Sequence, residues 1–186
     1  MTARGIVAAI GLMLCTAPMA SATTPPPDSP AALQEAEKLA RLPPVPPIGS
    51  RPDHSGRVQK GRASYYAHRF NNRKMADGSH FDPNSNVAAS KTLPLGTTAK
   101  VTNLQNGKSA TVQVEDRGPF IRGRVVDLTP KVAGQLDIGK DGVAPVVVAP
   151  IAVPQKDGAV KLGAGAAGTD PQEVEKATRD TEAAMR

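Results

Sequence analysis

The stretch Thr97-Thr98-Ala99-Lys100-Val101-Thr102-Asn103-Leu104-Gln105-Asn106-Gly107-Lys108-Ser109-Ala110-Thr111-Val112-Gln113-Val114-Glu115 decides the fold class. Over 108–115 the residues alternate, with Ala110, Val112 and Val114 on one face and Thr111, Gln113 and Glu115 on the other. Successive side chains of a strand point to opposite faces, so this pattern predicts a half-buried strand. Over 97–103 the chain alternates again through Ala99 and Val101. Between the two lies Leu104-Gln105-Asn106-Gly107, and an Asn-Gly pair tolerates the positive φ angles that a tight hairpin requires.

Working outward, further strands are expected at 62–66, 87–89, 124–128 and 143–149. Thr129-Pro130 places an N-cap and a first-turn proline ahead of a short helix through Leu136, with Gly139 as its stop. About six short strands with one or two small helices describe an all-β barrel or sandwich. The aromatics agree on where the core lies. The chain of 186 residues has two Tyr and three Phe, and all five (Tyr65, Tyr66, Phe70, Phe81, Phe120) fall between 65 and 120. One modest domain over 61–148 is therefore expected.

The flanks read differently. Residues 1–22 combine Arg4, an apolar run from Gly5 to Leu14 and the small-residue exit Ala20-Ser21-Ala22, which is the pattern of a secretory signal peptide. Cys15 offers an alternative, a lipid anchor on an outer-membrane lipoprotein, although Leu14 is large for the residue before an acylated cysteine. Cleavage after Ala22 would leave no cysteine and exclude disulfides, a thiolate nucleophile and zinc–thiolate sites. Residues 23–60 read as a Pro-rich linker, with Pro25-Pro26-Pro27 and Pro43-Pro44-Val45-Pro46-Pro47 around a short helical stretch after Ser29. Residues 149–186 read as a flexible tail. It carries the Gly163-Ala164-Gly165-Ala166-Ala167-Gly168 run and a frayed helix from Pro171 and Glu173, with Val174, Ala177 and Ala184 as its apolar face.

The net charge is +6, and 61–148 carries 12 Lys/Arg against 7 Asp/Glu. A basic surface in an exported protein meets peptidoglycan stem peptides and lipid headgroups, so no nucleic-acid partner is expected. His54, His68 and His80 lack metal-ligand spacing, no Gly-x-Ser-x-Gly elbow occurs, and no phosphate-binding glycine loop is present. No metal and no cofactor is expected.

Asp116-Arg117-Gly118-Pro119-Phe120 is the most informative run for chemistry. Strict alternation gives Asp116 the core-side parity of Val112 and Val114 at the strand's end, a rim position suited to a general acid. Glu115 has the solvent-facing parity and ranks below it. The plainer alternative is that Asp116 only starts the turn at Gly118-Pro119. Of Tyr65 and Tyr66, alternation allows one outward, where it could stack on a sugar ring.

Several blocks in order resemble the RlpA family. They are Gly61-Arg62-Ala63-Ser64-Tyr65-Tyr66, Ala76-Asp77-Gly78-Ser79-His80-Phe81-Asp82 and Ala88-Ala89-Ser90-Lys91-Thr92-Leu93-Pro94-Leu95-Gly96-Thr97. Val101-Thr102-Asn103-Leu104-Gln105-Asn106-Gly107, Val114-Glu115-Asp116-Arg117-Gly118-Pro119-Phe120 and Arg124-Val125-Val126-Asp127-Leu128-Thr129 complete the set. The resemblance implies a six-stranded double-psi β-barrel between flexible N- and C-terminal segments, in a periplasmic protein. The implied activity is endolytic peptidoglycan transglycosylation, which cleaves MurNAc–GlcNAc bonds of denuded glycan strands to 1,6-anhydro ends. Asp116 matches the family's catalytic carboxyl and would both give and take the proton. Ser79 stands where active members carry Glu, and Ser90 where they carry His. With Tyr65 and Arg117, these two serines are the expected substrate-binding set. Two functional classes follow: a lytic transglycosylase, or a peptidoglycan-binding or division-scaffold module that does not cut. Glycan strands are the expected partner, with cell-division or cell-wall proteins as further candidates and membrane contact only through Cys15.

Overall fold

The computed structural model describes residues 52–139 and 142–186, together with Pro30, Leu33, Gln34, Glu37 and Arg41. The signal-peptide and Cys15 readings, and most of the linker, lie outside the described residues. Seven strands follow in chain order: β1 (Gln59–Tyr65), β2 (Val87–Ala89), β3 (Thr98–Asn103), β4 (Ser109–Asp116), β5 (Arg124–Leu128), β6 (Val143–Pro154) and β7 (Val160–Leu162). They pair in the order β1-β5-β2-β4-β3-β6-β7, and β1 also pairs with β6, so the first six close on themselves. The sheet is mixed: β1–β5 and β2–β4 are parallel, and every other pairing is antiparallel. This is the six-stranded barrel the sequence implied.

Alternation explains the filling. Val101 and Val112 from the hairpin, Val114, Val126 and Leu128 meet Val146 and Val148 inside the barrel, each no more than 2% exposed. Each such burial contributes ~1.5–3 kcal/mol before entropy is counted. A helix, α1 (Pro130–Gln135), closes one side with Val132 and Leu136 fully buried. Thr129 Oγ1 accepts from Val132 N at 3.4 Å as its N-cap. Its far end comes sooner than Gly139. Asp137 takes the left-handed conformation (φ 52). The Leu136 carbonyl accepts from the side chains of Asn103 and Asn106 at 2.9 and 3.2 Å. Hairpin asparagines thus stop the helix before the glycine is reached.

Both expected domain borders move. The end of the linker belongs to the barrel: Asp53 N donates to Thr92 O at 2.6 Å, His54 Nδ1 lies 2.7 Å from Pro154 O, and β1 starts at Gln59. At the other end, β6 runs to Pro154 instead of stopping near 149. Of its two interior prolines, Pro145 and Pro150, the second sits where the register slips. Ala99 faces Pro150 and Thr98 faces Ala152, leaving Ile151 unopposed, and a bulge is where a strand can hold proline.

The tail is ordered and packed. A helix, α2 (Pro171–Ala183), starts with Asp170 Oδ1 accepting from Gln172 N at 2.8 Å. Ala177 and Thr181 are buried, with Ala177 packed on Ile151 and Ala152. Thr98 Oγ1 lies 3.1 Å from Thr181 Oγ1, and Gln113 Nε2 donates to Asp180 O at 3.1 Å. The apolar stripe is short, but polar contacts with β3 and β4 supplement it. The Gly/Ala run is close-packed for a related reason. A Cβ on Gly163 would overlap the Pro150 carbonyl oxygen, and one on Gly165 the Ala149 carbonyl oxygen. Gly163→Ala is expected to lower the melting temperature by roughly 3–10 °C through overpacking. An unchanged melting curve would contradict this close approach.

Candidate active site at the barrel rim

The C-terminal end of β4 is held by a turn from another part of the chain. Asp77 N donates to Glu115 O at 3.0 Å, and Ala76 N donates to Asp116 Oδ1 at 3.0 Å. Ser90 N donates to Asp116 O at 3.1 Å from the opposite side. The turn is tight because Gly78 adopts φ 100 and its N–H bonds back to Met75 O at 3.1 Å.

Asp116 is half-buried at the rim, where the sequence placed it. Its second oxygen, Oδ2, accepts from the Tyr66 hydroxyl at 2.6 Å. Both oxygens therefore act as acceptors, the pattern of a carboxylate held in one orientation. Tyr66 is fixed by Phe81 (centroids 4.5 Å apart), Phe70 (5.4 Å, edge-on) and the small apolar cluster of Met75, Phe81 and Val87. Burial, followed by the hydrogen bond to Asp116, drives the Tyr66 hydroxyl well above the usual phenol range. It stays a donor at any physiological pH. Asp127, the next carboxylate towards Tyr66, is occupied by Arg124 at 2.7 and 2.9 Å and by the Ser64 hydroxyl.

Tyr65 is the outward one of the pair, 41% exposed, but its ring lies towards Gly142 and is not brought into this group. Its neighbour Tyr66 is the one that reaches Asp116. The Tyr-Tyr pair signalled that a ring was there without saying which.

Ser79 is in the group. Its hydroxyl donates to Asp77 Oδ1 at 2.7 Å and lies 3.5 Å from Glu115 Oε2. Ser90 is a correction. Its side chain is fully buried, and its hydroxyl accepts from Thr92 N and Leu93 N at 3.3 and 3.1 Å. It closes a turn and presents nothing to a ligand. Arg117 braces that same turn by donating to Ser90 O and Leu93 O at 3.0 and 2.5 Å. Burial pulls its guanidinium below the usual value, and the Asp116 charge partly restores it.

Glu115 is the residue that sequence reasoning undervalued. Ala88 faces Val114 and Ala89 faces Asp116, so the register skips Glu115. Glu115 keeps the face of Thr111 and Gln113, and because α2 packs over that face it is half-buried instead of solvent-facing. Burial first, and the Asp77 charge second, push its carboxyl above the usual range, offset in part by the Ser79 hydroxyl. Beyond β4, Phe120 and Ile121 are 83% and 55% exposed, an apolar surface beside the rim. Among the described residues, no three His, Cys, Asp or Glu side chains converge as a metal site.

Residues 58–148, which hold β1 through the first half of β6 and the rim, match the family described as lytic transglycolase. Over these residues the barrel is similar to lytic transglycolase domains. The chain is 46% identical over 92 residues to the probable endolytic peptidoglycan transglycosylase RlpA of Synechocystis sp., an alignment covering 50% of this chain and 29% of that one. The endolytic peptidoglycan transglycosylase RlpA of Campylobacter jejuni is 44% identical over 91 residues, covering 49% of this chain and 33% of its own. That of Neisseria meningitidis is 43% identical over 91 residues, covering 49% and 38%. The chain thus spans between 29% and 38% of these relatives' lengths. Among solved structures, an expansin mutant of Clavibacter michiganensis in complex with cellohexaose aligns at 20% identity and TM-score 0.39, over 50% of each chain. The Streptomyces papain inhibitor aligns at 23% identity and TM-score 0.37, over 56% of this chain and 97% of its own.

Proposed function

We propose that this domain cleaves the bond between N-acetylmuramic acid and N-acetylglucosamine in peptidoglycan of the bacterial envelope, leaving 1,6-anhydro ends. The observation that supports it best is Asp116, fixed at the open rim by Tyr66 and the Ala76 amide inside a segment matching a family of that description. The reaction needs no water nucleophile. A proton goes to the glycosidic oxygen as the bond to the muramyl anomeric carbon breaks. The muramyl 6-hydroxyl closes onto that carbon and gives up its proton. Asp116 takes this second proton, and in the simplest scheme it also supplied the first. Phe120 offers an apolar platform beside the cleavage point, and the Ser79 hydroxyl a hydrogen-bonding group.

Denuded glycan strands are the proposed substrate, and the sacculus the proposed partner. Incubating the full chain with amidase-treated glycan and with intact sacculi, then identifying the released ends by mass spectrometry, tests the reading. Anhydromuramyl ends support it, reducing muramyl ends would indicate a hydrolase, and retention on glycan without product would leave a binding module. Tyr66→Phe keeps the ring and removes one hydrogen bond to a charged group, so turnover is expected to fall roughly 10- to 100-fold with little loss of stability. Unchanged turnover would show that the hydroxyl does not position Asp116.

A further inference from the structure

We infer that Glu115, set out of register at the end of β4 with its carboxyl 3.5 Å from the Ser79 hydroxyl, is a second catalytic carboxyl that protonates the leaving sugar oxygen. The inference rests on the transglycosylase reading and divides its proton work between two groups.

The two neighbouring carboxyls are held differently. Asp116 accepts hydrogen bonds on both oxygens, from Tyr66 and from the Ala76 amide. Glu115 receives only the weak contact from Ser79, faces Asp77, and is favoured in its protonated form by burial and by that neighbour's charge. Glu115 is thus favoured in the form a general acid needs, while both oxygens of Asp116 are engaged as acceptors. Strict strand alternation would send them to opposite faces. The turn at 76–79 wraps the end of the strand and touches both, Ala76 N reaching Asp116 and the Ser79 hydroxyl reaching Glu115, and both are half-buried.

Access agrees. Glu115 lines a cavity of about 400 Å³ between β4 and α2, with Asn86 and Gln113 on the barrel side. The charged groups facing the cavity from the helix are Glu173, Lys176 and Asp180, and Lys176 is paired with Asp180 at 2.5 Å. Among the described residues lining that side the cation is Lys176, and Asp180 engages it. A sugar ring entering this cavity would meet Glu115 directly, with Asp116 on the far side of the turn at 76–79 that touches both carboxyls.

The step balances. The Glu115 proton passes to the glycosidic oxygen, which leaves as the 4-hydroxyl of N-acetylglucosamine. The 6-hydroxyl oxygen bonds to the muramyl anomeric carbon, and its proton passes to Asp116. Exchange with solvent then returns Glu115 to the acid and Asp116 to the carboxylate.

The test compares the full-length wild type with Glu115→Gln and with Ser79→Glu/Glu115→Gln, measuring anhydromuramyl ends from denuded glycan across pH. Glu115→Gln is expected to cost ~10²–10⁴ in rate. It should also abolish the fall in rate that the wild type shows as pH rises through the Glu115 titration. The double variant returns a carboxyl within the same reach and is expected to recover most of the loss. Full activity in Glu115→Gln, or a slower enzyme with an unchanged alkaline fall, would overturn the inference while leaving the transglycosylase reading standing. No anhydro ends from the wild type would overturn both. A double variant that melts like wild type and recovers nothing would also count against it.

Discussion

Asp116→Asn is expected to lower the formation of anhydromuramyl ends by ~10²–10⁴ while leaving glycan binding and the melting temperature close to wild type. The amide keeps the shape of the carboxyl, and its oxygen can still accept one of the two hydrogen bonds now given by Tyr66 and the Ala76 amide. What it loses is the ability to take a proton from the sugar 6-hydroxyl. The loss should appear in turnover more than in the concentration needed for half-maximal rate, because the group acts on the reacting atoms. Single-turnover digestion with a sacculus pull-down in parallel separates the two effects. If binding vanished along with product, Asp116 would be a ligand-holding group and the chemistry would have to lie elsewhere. If product formation were unchanged, the site would be misassigned.

The second large effect concerns the tail. Ala177 is 2% exposed beneath α2, against Ile151 and Ala152. Ala177→Asp would place a charge there with no partner, at a cost of about 2–3 kcal/mol, most simply relieved by lifting the helix off the barrel. A melting temperature lower by roughly 4–12 °C is expected, with faster amide exchange over 171–183 and at Thr98 and Gln113. The consequence reaches the site. The cavity beside Glu115 has α2 as one wall, through Glu173, Lys176 and Asp180, so turnover on glycan should fall with the docking. An unperturbed exchange pattern would mean that α2 contributes nothing to the folded domain.

Much of the barrel could be read from the chain. The Asn106-Gly107 hairpin, the alternation of Val112 and Val114, and the Thr129-Pro130 helix start are local signals, and each is where local chemistry put it. The misreadings share a cause: they depend on what is packed from far away. Gly163 and Gly165 read as flexible in isolation, yet they are small because the carbonyls of Pro150 and Ala149 press on them. The α2 stripe looked too thin to dock because its contacts with Thr98, Thr111 and Gln113 join residues more than sixty positions apart. The site behaved in the same way. The position of Asp116 at the end of β4 is legible in the strand's alternation, whereas Ser90 gives no local sign that its hydroxyl is consumed by its own turn. Glu115 has the outward parity the alternation gives it, but α2, more than fifty residues away in sequence, covers that face and turns it into a cavity wall.

The most direct test of the central claim is digestion of denuded glycan by the full chain in heavy-oxygen water, with Asp116→Asn as the control. Intramolecular closure of the 6-hydroxyl predicts muramyl ends lighter by one water than reducing ends, free of solvent oxygen, and depleted in the control. Muramyl ends carrying solvent oxygen would show that water is the nucleophile and contradict the account.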